Sequence, residues 1–311
     1  MNKSEKDFDV IVIGGGAAGL SAALWCDELG LSALLLEKEN EFGGQLRRVY
    51  NRIENHLGVE TENGREMSEI FVRQTEKRSF AKRLKACVSF VDLERKSIIL
   101  QTGEEYTARA LIVATGVRRR RLGIENEEAF LEKGIIDSGK KNAEPAREKN
   151  VLIVGGGDAA LENALILAET ARKVFLVHRR KDFRGRAEFL EKVRVHPKIE
   201  TFTGFIVRRI IGKEFISEIE IENLQTGKLR RVPAEILLIR IGVEPNTELL
   251  RGQISLDAEG YIKIDGNCET SLKMVFAAGD AANPASPTVS SAVGMGATAA
   301  KAIYASLNSG L

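Results

Sequence analysis

The same glycine loop occurs twice in this 311-residue chain, each time between an apolar strand pattern and a helical one. No other feature limits the fold as much. Val10-Ile11-Val12-Ile13 is a β-branched run without alternation, as expected of a strand covered on both faces. It runs into Gly14-Gly15-Gly16-Ala17-Ala18-Gly19, a G-x-G-x-x-G. Ala17, Leu20, Ala23 and Leu24 then recur at helical spacing, and Ala33-Leu34-Leu35-Leu36 forms a second strand ending at Glu37. The pattern returns as Val151-Leu152-Ile153-Val154, then Gly155-Gly156-Gly157-Asp158-Ala159-Ala160. A helix through Leu161, Ala164, Leu165 and Ala168 follows, and then the strand Val174-Phe175-Leu176-Val177.

The two copies continue beyond the loops. Each is followed by an alternating strand pattern: Val88 to Leu93 and Ser97 to Leu100 before Gly103, and Glu218 to Glu222 before Gly227. Each half then closes with an apolar strand running into glycine, Leu111 to Gly116 and Ile236 to Gly242. The expected fold is therefore α/β, with two Rossmann-like βαβ domains. A length of 311 residues suits two domains at about 150 each.

Composition narrows the function classes. Lys+Arg 46 against Asp+Glu 44 gives a net charge of +2, so no strong field points to nucleic acid or a membrane. No apolar run approaches the ~18 residues of a bilayer span, and the charged start argues against a signal peptide. Cys26, Cys87 and Cys268 are far apart and form no C-x-x-C, which argues against a disulfide scaffold and a thiolate zinc site and fits a reducing cytoplasm.

A glycine loop between strand and helix has a specific use. The first glycine (Gly14, Gly155) permits the tight turn, and the second (Gly16, Gly157) lets a pyrophosphate approach the backbone. The third position (Gly19, Ala160) lets helix and strand pack closely. The pyrophosphate then rests on the helix N-terminus, at Ala17 and Ala18 or at Asp158 and Ala159.

The end of the second strand separates the two sites. Glu37, 23 residues after Gly14, can accept bonds from ribose hydroxyls and would repel a 2′-phosphate. The other copy has His178-Arg179-Arg180 there, with Arg184 beyond, and residues 172–186 hold seven basic side chains and one carboxylate. This reads as a 2′-phosphate clamp selecting NADPH over NADH; the alternative is a solvated basic face. Two dinucleotides on one chain, one of them NADPH, suggest a flavoenzyme with FAD at Glu37.

By these residues the chain resembles the two-dinucleotide-domain flavoproteins (class II pyridine nucleotide-disulfide oxidoreductases), specifically the low-molecular-weight thioredoxin reductase type. Further motifs carry the resemblance: Gly43-Gly44-Gln45-Leu46, Glu54-Asn55, Ala114-Thr115-Gly116, Gly242 to Asn246, Ala278-Gly279-Asp280 and Pro287-Thr288-Val289. It implies three-layer ββα domains, with an NADPH domain at 118–243 inserted into a discontinuous FAD domain at 1–117 and 244–311. It implies FAD contacts from Glu37, Gly44, Gln45, Leu46, Asn55, the Val88 backbone, Ala114, Thr115, Gly116, Gly279 and Asp280. Thr288 and Val289 would lie at the pyrimidine edge of the flavin, and Gly242 would meet NADPH. A homodimer is expected from the family.

The chain departs from that family at one place. Laid on the pattern without a gap, the family's Cys-x-x-Cys falls on Ser138 and Lys141, with Asn142 where an acidic residue normally follows. Neither Ser nor Lys can form a disulfide or a flavin–sulfur adduct. The flavin is then the only redox centre, and no side chain is assigned as catalytic. Electrons from NADPH would leave FAD for an external acceptor: an acidic ferredoxin or flavodoxin, or a small molecule such as a quinone. Tyr50 matches where the resembling ferredoxin–NADP reductase branch stacks an aromatic ring on flavin, whereas that branch's C-terminal extension is missing here. Arg118 to Arg121 could steer an acidic carrier. The competing class is a non-turnover redox sensor that binds FAD and NADPH.

Overall fold

A computed structural model describes residues 7–309. Residues 1–6 and 310–311, the outer ends of the first domain in the sequence reading, lie outside the described residues. The chain divides into two compact units, one running to Arg118 and resuming at Glu244, the other spanning Arg119–Val243.

The first unit opens with β1 (Asp7–Ile13), α1 (Ala17–Glu28) and β2 (Ala33–Leu36). Next come α2 (Gly64–Glu76), β3 (Ala81–Arg83), β4 (Val88–Asp92), β5 (Ser97–Leu100) and β6 (Glu105–Val113). β7 (Val117–Arg119) leads out of it. The second unit holds β8 (Ile135–Ile136), β9 (Asn150–Gly155), α3 (Asp158–Thr170), β10 (Lys173–His178) and α4 (Ala187–Val195). It continues with β11 (Ile199–Thr203), β12 (Phe205–Gly212), β13 (Ile216–Asn223), β14 (Leu229–Pro233) and β15 (Ile236–Arg240). β16 (Val243–Pro245) returns the chain, and β17 (Val275–Ala277) and α5 (Val289–Asn308) complete the first unit.

In the first unit β3, β2, β1, β6 and β17 pair in parallel, and β5 and β4 extend the sheet antiparallel beyond β6. The strand period of two then sorts side chains between layers. Val10, Val12, Leu35 and Ile112 pack under α1 and α5, while Ile11, Leu34, Leu36 and Leu111 pack on the opposite face with Val91, Ile98 and Leu100. That two-sided burial is why β1 reads as an unbroken apolar run. The second unit repeats the scheme. The parallel order is β11-β10-β9-β15-β8. Val151, Ile153, Val174 and Leu176 face α3 and α4, and Leu152, Phe175 and Leu237 face the antiparallel sheet β12-β13-β14. In the second unit helices, parallel sheet and a separate antiparallel sheet make the ββα sandwich. In the first, the antiparallel part, β4 and β5, is continuous with the parallel sheet, and its Val91, Ile98 and Leu100 pack on the face away from α1 and α5.

α1 and α5 come so close that only small residues fit between them. A Cβ on Gly296 would lie 2.3 Å from the Ala18 carbonyl oxygen. This contact carries the C-terminal segment back onto the first glycine loop. No helix among the described residues is long and apolar enough to cross a membrane.

Candidate functional site

In each unit the glycine loop sits at the carboxyl end of the first parallel strand, where open α/β sheets bind ligands. In the first unit it forms one wall of a cleft of about 630 Å³. The glycines have separate steric reasons. A Cβ on Gly14 (φ +107°) would lie 2.3 Å from the Ala114 carbonyl oxygen, and one on Gly19 would lie 1.8 Å from that of Gly14. Gly16 has room around it, its Cβ position meeting only the Gly44 Cα at 3.8 Å, which leaves its backbone open to the cleft. Gly15 is glycine because the Phe42 ring occupies the space, 2.3 Å from where a Cβ would stand.

Glu37 is buried at the end of β2. Its Oε2 accepts a hydrogen bond from the Gly15 N–H at 2.8 Å and its Oε1 one from the Glu39 N–H at 2.9 Å. The carboxylate is thus fixed beside the loop with lone pairs to spare. Gln45 Nε2 donates to the Val117 carbonyl at 2.7 Å. Thr115 and Asn246 bond reciprocally, each side chain to the other's carbonyl at 2.8 Å, which stitches the returning segment to the cleft wall. Asp280 also lines the cleft, and burial holds its carboxyl above the usual carboxylate range.

The cleft thus gathers Gly14, Gly16, Ala17, Ala18, Glu37, Gly44, Gln45, Leu46 and Val88 with Ala114, Thr115, Gly116, Gly279, Asp280, Thr288 and Val289. Gly19 acts behind it, in helix packing. Tyr50 and Asn55 are not brought to the lining. The cause is local: Ile53 pairs with Thr61 and inserts into a small core with Leu46 and Met67, which holds the 49–61 loop beside the cleft. The sequence reading missed Phe42, Cys87 and Asn246. Asn246 ends the Gly242 to Asn246 motif, but its bonds to Thr115, like the packing of Phe42 on Gly15, come only from tertiary structure.

The second unit builds its edge differently. Gly157 has open space at its Cβ position, whereas a Cβ on Gly156 would lie 2.2 Å from the His178 ring. His178 is buried, stacks on Phe183 with ring centroids 5.3 Å apart, and leaves Nε2 without a hydrogen-bond partner. The loop after β10 is pinned to the glycine loop by the Arg184 N–H donating to the Gly156 carbonyl at 2.7 Å. Asp158 accepts from the Arg186 N–H at 2.7 Å and pairs with its guanidinium. Arg179, Arg180 and Arg184 are exposed and make no ion pair or side-chain hydrogen bond among the described residues. Three uncommitted guanidiniums thus stand where a surplus of positive charge was expected.

Burial, with the Arg179 and Arg184 charges, pushes the His178 imidazole below its ordinary range. The folded protein therefore favours neutral His178, and that contribution to stability is whole above about pH 6.5, the unfolded value. It falls as pH drops through the lowered folded value. Thermal unfolding between pH 7.5 and 5 should show this loss, and His178→Asn should flatten it; an unchanged slope would contradict the assignment.

Ser138 and Lys141 occupy a tight turn after β8. The Asn142 N–H donates to the Ser138 carbonyl at 3.0 Å, and the Gly139 N–H to Asn163 Oδ1 of α3 at 2.7 Å. Ser138 is buried and Lys140 and Lys141 are exposed. The preceding carbonyl, of Asp137, accepts from both Arg119 and Arg240. The remaining thiols offer no pair: burial pushes Cys26 up to about 12 and Cys268 up to about 11, so both stay protonated at neutral pH. Cys87 lines the cleft of the first unit.

The arginine run is committed to internal contacts. Arg118 pairs with Glu244 at 2.8 Å and with Glu248, whose carboxyl it holds below the usual range. Arg120 donates to the Val243 carbonyl at 2.9 Å, and Arg121 pairs with Glu128 at 2.8 Å. Within the run that could steer a carrier, Arg118 and Arg121 meet carboxylates, while Arg119 and Arg120 donate to the backbone carbonyls of Asp137 and Val243.

A family profile described as pyridine nucleotide-disulphide oxidoreductase matches residues 8–296. A thioredoxin reductase of Mycolicibacterium smegmatis is 35% identical over 283 residues, 90% of this chain and 90% of that protein. A 34.2 kDa protein in the rubredoxin operon of Clostridium pasteurianum is 31% identical over 299 residues, 96% of each chain. Among solved structures, Lactococcus lactis thioredoxin reductase superposes with a TM-score of 0.82 at 29% identity, covering 96% of this chain and 98% of that one. The family and its thioredoxin reductase members use FAD and NADPH. Two glycine-loop units, matched over nearly the whole chain, make this protein a thioredoxin reductase-like flavoprotein oxidoreductase and a member of the pyridine nucleotide-disulphide oxidoreductase family.

Proposed function

We propose that this chain is an NADPH-dependent FAD oxidoreductase that delivers electrons to an external acceptor without a protein dithiol, with a small electron-carrier protein of the ferredoxin or flavodoxin class as that acceptor. The observation that carries this reading is the turn at Ser138. Where the family's cysteine pair would fall, the chain has Ser-Gly-Lys-Lys, pinned by Asn163, and the buried Cys26 and Cys268 offer no substitute. The Clostridium pasteurianum relative, whose name places it in a rubredoxin operon, supports a carrier protein over thioredoxin.

The residues of the first unit fit FAD. Glu37, held by two backbone N–H groups, would take ribose hydroxyls, and the open backbone at Gly16 would take the pyrophosphate. Buried Asp280 would meet a ribityl hydroxyl, and Gln45, Thr288 and Val289 would lie at the ring. Tyr50 and Asn55 would join only if the 49–61 loop shifted. In the second unit Gly157, Asp158 and Ala159 would bound the NADPH pyrophosphate, and Arg179, Arg180 and Arg184 its 2′-phosphate, with His178 shaping the loop beneath them. When bound, FAD takes a hydride from NADPH and can release electrons in pairs or singly.

The test is NADPH-supported reduction of purified ferredoxin, flavodoxin and rubredoxin alongside thioredoxin and a quinone. At least one carrier protein should be reduced well above the thioredoxin rate. Turnover of thioredoxin at the fastest rate in the panel would overturn the proposal, and turnover of the quinone alone would limit it to a small-molecule acceptor.

A further inference from the structure

The chain has three histidines, of which His56 belongs to the first unit and His178 and His196 to the second. It sits on the 49–61 loop, outside the lining, with two contacts that fix its ring. Nδ1 is 3.0 Å from Ser290 Oγ, and the ring meets Phe71 of α2 edge-on, centroids 5.7 Å apart. Ser290 belongs to the first turn of α5, capped by Thr288, whose hydroxyl accepts from the Ser291 N–H at 3.1 Å. Thr288 and Val289, directly before Ser290, line the cleft. One hydrogen bond thus joins an imidazole to the helix turn that enters the cleft.

The charges around that bond are few. α5 has no acidic residue in its first turn, and its Lys301 lies further along, over Trp25. On α2, Arg65 pairs with Glu69, Glu66 accepts from the Glu62 N–H, and Arg73 and Glu76 lie toward the helix end. On the loop, Arg52 pairs with Glu54, Glu60 and Glu62. Imidazole is the ordinary side chain that changes charge between pH 5 and 8.

Resting on the proposed binding of FAD in this cleft, we infer that His56 is a positioning residue that couples proton uptake to flavin reduction, through Ser290 and the first turn of α5. The balance is simple. With both cofactors bound, NADPH would give up a hydride, leaving NADP⁺ and adding one negative charge to the cleft, and the imidazole would take up one proton from water in response. The bond to Ser290 supplies the path: a neutral Nδ1 can accept from the Ser290 hydroxyl, whereas a protonated one donates to it, so the hydroxyl dipole at the start of α5 reverses.

The test follows the His56 ring by NMR in the FAD-loaded protein, its resonance assigned by loss in His56→Gln. Titrations are run oxidised and after dithionite reduction under argon. Reduction should raise the proton affinity of His56 about tenfold, and Ser290→Ala, which keeps the imidazole, should remove most of that rise. Near the midpoint of that titration the flavin potential of the parent should fall by about 15 mV more per pH unit than that of His56→Gln, because a tenfold rise takes up at most about half a further proton per two electrons. Equal titration in both redox states, an unchanged rise in Ser290→Ala, or identical potential slopes would overturn the inference. Failures separate cleanly: protein without flavin absorbance ends the reading of the cleft, while flavin-loaded protein with a redox-insensitive His56 ends only this inference.

Discussion

Gly19→Ala should yield a protein with no bound flavin and a first unit destabilised by about 3 kcal/mol or more, because overpacking against backbone cannot be relieved by a rotamer change. The added methyl would lie 1.8 Å from the Gly14 carbonyl oxygen, inside the turn that shapes the cleft. The second unit supplies the control. Ala160 stands at the equivalent position, and there the space is found on the opposite partner: a Cβ on Gly155 would sit 2.8 Å from the Ala160 methyl. Ala160→Gly should therefore cost only about 1 kcal/mol of helix propensity and leave the flavin in place. The ratio of 450 nm to 280 nm absorbance, with thermal unfolding, checks both. A yellow, stable Gly19→Ala protein would show that the first loop is not built as described.

The second large effect concerns cofactor choice. Replacing Arg179 and Arg180 together by Ala should raise the NADPH KM about a hundredfold or more and leave the NADH value within about twofold. Charge-assisted hydrogen bonds to phosphate contribute about 1.5–3 kcal/mol each, and these two guanidiniums have no side-chain partner among the described residues. The exposure of both side chains makes the effect salt-sensitive, so the ratio should shrink as ionic strength rises. Equal losses for both nucleotides would mean that the pair supports the loop. Arg186→Ala separates position from charge: Arg186 is tied to Asp158 and Glu188, and its loss should affect both nucleotides alike.

These two predictions also mark what could be read from the sequence. The strands and the helices after the glycine loops follow from unbroken apolar runs and 3.6-residue spacing, and the paired loops announce two similar units. The cluster of Arg179, Arg180 and Arg184 was legible because its residues are neighbours in the chain. For the arginine run at 118–121 the sequence displays charge but not partners: Glu244 lies 126 residues from Arg118. Asn246, 131 residues from Thr115, stands in a motif whose residues do not disclose its bonding role. Tyr50 and Asn55 were placed by motif position, but the Ile53–Thr61 pairing, which no local pattern signals, sets where that loop lies. Local chemistry was readable; contacts across more than a hundred residues were not.

The departure at Ser138 and Lys141 bears most directly on the electron path. NADPH should be mixed with purified protein under argon, the flavin followed by stopped flow, and reactive thiols then counted with Ellman's reagent before and after reduction. Bleaching within seconds with an unchanged thiol count is the predicted result: Cys26 and Cys268 stay buried and unreactive in both states. Two new thiols per chain on reduction would reveal a disulfide in the electron path and contradict a dithiol-free route.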